Sequence, residues 1–216
     1  MKRLFRFWLV FSALTALLSS FSLTALADNN PIIERSVTNA QIGYEVRVPP
    51  DWSDLNPMLV GMYNAQAGAF ATKDTLPTSL SSGFCKASAS PIPPVLLLLF
   101  SSVPEGIKAN EISGYNQLYF NEAKDTATKS QMAQQTGLAS KVTFLGAEEL
   151  RHNTPAFING VTTTMGFTGK LLSVPFYTKE GVLTLFFFAK DDEFDALAPQ
   201  VREIARNMII FEDKRP

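Results

Sequence analysis

Few side chains in this chain can attack a substrate, shuttle protons or hold a metal, and their spacing limits what they could do. The single histidine, His152, lies in Arg151-His152-Asn153-Thr154-Pro155. A nucleophile relying on imidazole as its base would have to recruit this residue. Its Asn-Thr-Pro surroundings read instead as a turn between strands that leaves the ring exposed. The single cysteine, Cys85, lies in Gly83-Phe84-Cys85-Lys86. A nearby cation lowers a thiol pKa and sharpens the nucleophile, so Lys86 brings a hydrolase or redox role for Cys85 or His152 into view. With no second cysteine to form an intrachain bridge, a packed and inert thiol is the simpler expectation.

The carboxylates are read in the same way. Asp191-Asp192-Glu193-Phe194-Asp195 is acidic enough to suggest calcium, but it lacks the alternating ligand spacing of a calcium loop, and Phe194 interrupts it. A helix start accounts for it better, with Asp191 or Asp192 capping the first turn. Glu148-Glu149 reads as a solvated strand end rather than an acid–base pair. The chain contains no Gly-x-Ser-x-Gly elbow, no His-Glu-x-x-His and no phosphate-cradling Gly-x-x-x-x-Gly-Lys-[Ser/Thr] loop. No catalytic, cofactor-binding or metal-ligating residue is assigned, and no cofactor is expected.

The N-terminus indicates a compartment. Lys2, Arg3 and Arg6 precede an apolar run from Phe7 to Leu18, and Ala25-Leu26-Ala27 stands before Asp28. This is the layout of a secretory signal peptide over 1–27, with Ala25 and Ala27 forming the small-residue cleavage site. Six serines and threonines between Ser12 and Thr24 dilute its second half, against an uncleaved spanning helix. The expected location is the periplasm, with no stable membrane span after cleavage. Removing 1–27 takes three of the 19 basic residues and none of the 20 acidic ones, leaving 16 against 20. That mildly acidic balance provides no footprint for nucleic acid.

The elements that must position these side chains come next. Residues 28–40 read as a polar leader and 41–216 as a single domain. Ile42, Tyr44, Val46 and Val48 alternate with Gly43, Glu45 and Arg47, the period of a strand with one buried face. Pro49-Pro50-Asp51 ends it, and Trp52 follows as a plug at the core edge. Met58 to Tyr63 reads as a second strand, continued by Ala69 to Thr72. Residues 77–94 carry Pro77, Pro91, Pro93 and Pro94 among several serines and read as a long loop. Phe84 is its apolar exception, so Phe84 and Cys85 are the candidate partner-binding residues.

Val95 to Phe100 is an unbroken apolar run suited to a strand covered on both faces. Tyr115, Tyr119, Ala123 and Ala127 recur at i+4, predicting a helix within 111–138. Lys141–Glu149 and Phe157–Phe167 read as strands. Lys170–Tyr177 and Val182–Lys190 flank the turn Lys179-Glu180-Gly181, where the glycine is expected at positive φ. Val182 to Phe188 is nearly all apolar, so layers are expected on both sides of the sheet. Phe194, Leu197, Val201, Ile204 and Met208 form the stripe of a closing helix. The predicted class is α+β: a mainly antiparallel sheet covered by helices, an α/β/α sandwich.

The run Ile42-Gly43-Tyr44-Glu45-Val46-Arg47-Val48-Pro49-Pro50-Asp51-Trp52 resembles the opening strand of the PsbP-like superfamily (PsbP, DcrB and Mog type). Phe176-Tyr177-Thr178-Lys179-Glu180-Gly181, the strand after it and the helix over 194–208 are similar to that family's close. Gly68 to Asn110 departs from the pattern. The resemblance implies an antiparallel sheet between helices, no catalytic set to transfer, and a role in binding or assembly. The expectation is a non-enzymatic exported accessory protein of the bacterial envelope. It would bind an unidentified envelope protein and be a monomer or weak oligomer. The alternatives are a periplasmic immunity protein against a toxin, or the Cys85/His152 enzyme.

Overall fold

The computed structural model describes residues 35–58, 60–61, 64–65, 78–90, 93–102, 139–151, 154–163, 168–178 and 180–211. Two antiparallel sheets and one long helix build the described fold. The large sheet holds β3 (Trp52–Asp54), β4 (Thr78–Lys86), β5 (Val95–Ser102), β6 (Ala139–Arg151), β7 (Thr154–Thr163), β8 (Thr168–Tyr177) and β9 (Gly181–Ala189). Its seven strands run in the order β3-β4-β5-β9-β8-β7-β6. The small sheet holds β1 (Arg35–Asn39), β2 (Tyr44–Val48) and β10 (Ile209–Ile210) in the order β1-β2-β10. The helix, α1, spans Asp191–Arg206. The chain is therefore α+β and mainly antiparallel.

The period-two pattern of β2 does what it predicts: Tyr44, Val46 and Val48 are fully buried while Glu45 and Arg47 face outward. Gly43 makes the β1–β2 turn possible. Its φ is +94°, a conformation that side chains with a Cβ avoid, and its N–H donates to the Asn39 carbonyl at 2.8 Å.

In β9 the alternation divides two apolar faces. Leu183, Leu185, Phe187 and Ala189 pack in one core with Phe194, Ala198, Val201, Ile204 and Ala205 of α1 and with β2. The register places Phe186 and Phe188 on the opposite face with Val95, Leu97, Leu171 and Ser173, and these too are buried. Both faces of the central strands are thus shielded, as their all-apolar sequence requires. On the first face the shield is α1 and the small sheet. The second predicted helix, within 111–138, lies outside the described residues, as do Ala69–Thr72, His152 and the segment 1–34 with its cleavage residues Ala25 and Ala27.

Several expectations need correction. Residues 77–94 are not one long loop, because 78–86 form β4, paired with both β3 and β5. The prolines bracket the strand instead of interrupting it, and its central serines find partners. A bulge between Leu80 and Ser82 lets Ser81 and Ser82 both reach the Tyr44 hydroxyl, at 2.7 and 2.9 Å. Asn39 Nδ2 also donates to Ser81 Oγ at 3.2 Å. These bonds satisfy hydroxyls that would otherwise make the segment too polar to pack.

Residues 57, 58, 60 and 61 are helical, where a strand was predicted. Asn56 stands at the start, its Oδ1 accepting from the Met58 N–H at 2.9 Å and its carbonyl from the Val60 N–H at 3.2 Å. Pro57 is the first helical residue, where its missing N–H costs nothing. The leader also contributes structure, since 35–39 pair with β2 as an edge strand. Gly181 has the positive φ expected of it, 159°, close to extended. Thr178 also shapes the β8–β9 turn: its Oγ1 accepts from the N–H groups of Glu180 and Gly181 at 3.3 and 3.2 Å.

Candidate functional surface

The candidate residues Phe84 and Cys85 sit near the end of β4, beside the short edge strand β3. Both are interior: Phe84 is 1% exposed and Cys85 4%. Alternation sends them to opposite faces of the sheet. Phe84 joins the core shared with α1 and β2, and the Arg35 guanidinium lies 5.7 Å above its ring. That guanidinium is fixed by a two-pronged bond to Asp54, at 2.7 and 2.9 Å, which ties β1 to β3. Neither side chain lies on the described surface, because β4 turns one to each face of the sheet and both are buried there.

The same alternation separates Cys85 from the cation expected to activate it. Lys86 points to the α1 side, where its Nζ pairs with Asp51 and lies 6.0 Å from the Trp52 ring. Cys85 points away from that side. Burial pushes its thiol above the ordinary range, and the negative charge of Asp54 pushes it further the same way. The thiol is therefore protonated at neutral pH, the reverse of an activated nucleophile.

The acidic run at 191–195 is divided by the helix that it begins. Lys190 is the N-cap residue and makes no side-chain capping bond; Asp191, Asp192 and Glu193 lie in the first turn. Neither aspartate is the cap, and their favourable interaction is with the exposed N–H groups of that turn. The Glu193 Oε1 accepts from the Ser88 hydroxyl, while its Oε2 is buried without a partner. Asp195 turns to the sheet and pairs with Lys170 Nζ at 2.7 Å. Phe194 enters the core and stacks on Phe187, centroids 5.2 Å apart. Among the described residues no group of three metal-ligating side chains is assembled.

The remaining charges hold α1 in place. Glu148 pairs with Arg202, joining β6 to the C-terminal half of the helix as a strut. Arg151 Nη1 donates to the carbonyls of Met208 and Arg206, at 2.9 and 3.4 Å, where the helix leaves acceptors unsatisfied. Its guanidinium also lies 5.2 Å from the Phe176 ring. At the opposite edge of the large sheet, Trp52 Nε1 of β3 donates to Gln200 Oε1 of α1 at 3.1 Å. These partners are far apart in sequence, and no motif announces them.

What the described surface offers to a partner is dispersed. The large exposed apolar residues are Met58 at 66%, Leu145 at 52% and Ile209 at 43%, each on a different element. Leu145 stands at a bulge of β6, the long strand at the far edge of the large sheet. Among the described residues no helix is long and apolar enough to cross a membrane.

An antiparallel sheet with one face packed under a closing helix and a small second sheet defines an α+β class of fold. Within that class the chain has a PsbP-like fold. It is similar to the cyanobacterial PsbP (CyanoP) of Synechocystis sp. PCC 6803, with a TM-score of 0.50 and 10% identity, over 88% of this chain and 99% of that one. It also aligns with LpqN of Mycobacterium tuberculosis, a protein involved in cell envelope biogenesis, at TM-score 0.45 and 18% identity over 85% and 94% of the two chains. PA94 of Pseudomonas aeruginosa aligns at TM-score 0.41 and 9% identity, over 87% and 99%. No family model and no curated protein matches the sequence. At such identities the likeness is one of fold, and activity has to be argued from this chain's own residues.

Proposed function

We propose that this chain is an exported accessory protein that acts by binding an envelope protein, without bond-making chemistry, after cleavage behind Ala27 releases it into the bacterial periplasm. The observation that carries the reading is the state of Cys85. Its lone thiol is buried, turned away from Lys86 and held protonated. The nucleophile most open to activation in the sequence thus lacks the environment that would activate it. The signal-like N-terminus supports export, and the role implied by the PsbP-like resemblance supports binding.

The test is cross-linking and recovery of the full chain from the envelope of cells that process its native N-terminus. The comparison is a Cys85→Ala/His152→Ala variant of unchanged melting temperature. Recovery of the same envelope protein, in stoichiometric amount, by both forms is the expected result. Turnover of a substrate by the purified protein, lost in the double variant, would overturn the reading.

A further inference from the structure

We draw no further inference here: the strongest candidate, the buried and unpartnered Ser173 hydroxyl on the large-sheet face turned away from α1, carries nothing because no described element shows what covers it.

Discussion

Tyr44 and Cys85 are both buried polar side chains, and they differ in what meets them. The Tyr44 hydroxyl has two serine partners from a bulge 37 residues away and closer to the C-terminus. Tyr44→Phe keeps the ring and strands those partners, so we expect a loss of about 1 kcal/mol in urea unfolding. An unchanged midpoint would mean that the two sheets are not locked there. Cys85 has burial and a nearby carboxylate, both of which favour the neutral thiol. In the native protein it should react with a disulfide reagent much more slowly than free cysteine, and rapidly once unfolded. The linkage has a sign: a thiol whose pKa is raised by folding contributes stability that is intact below about pH 8.5 and is lost as pH climbs through the folded-state value. A Cys85→Ala variant should lack that alkaline decline.

The elements divide into those legible from local pattern and those that were not. The stripe of α1 was legible because residues at steps of three and four share one helical face, and Phe194, Val201 and Ile204 are buried as that pattern requires. Phe194 stacks on Phe187 beneath the start of the helix. Phe194→Ala should cost about 3–5 kcal/mol, read as a lower melting temperature and early loss of helical circular dichroism. Strand β4 was not legible. Its serines and flanking prolines imitate a loop, and partners distant in sequence, Tyr44 and Asn39, satisfy Ser81 and Ser82 within the sheet. The helical turn after Asn56 is signalled by the Asn-Pro pair, but the apolar residues that follow it carry the pattern of a strand.

Across the whole molecule, one core joins the large sheet, the small sheet and α1. Trp52 sits where they meet: it belongs to β3, its indole donates to Gln200 of α1, and its ring meets Phe187 of β9 edge-on at 6.1 Å. Because that contact spans three elements, the layers should unfold together. Trp52 fluorescence and far-ultraviolet circular dichroism should therefore give coincident denaturation midpoints in a chain begun at Asp28, which leaves out Trp8. Separate midpoints would show that the helix or the small sheet comes away first.

Periodicity and composition were enough for the antiparallel α+β class, the one-sided β2, the doubly covered β9 and the closing helix. These are local properties, because which faces of a strand or helix are buried is written into the spacing of its own residues. They also yielded the expectation of export, through the basic, apolar and small-residue order of the first 27 positions. The tertiary structure alone decided that 78–86 is a strand, that Cys85 and Lys86 part company across a sheet, and that Glu148, Asp195 and Arg151 brace α1. Each of those outcomes depends on a partner many residues away, and adjacency along a chain does not reveal which groups will meet once its sheets are stacked.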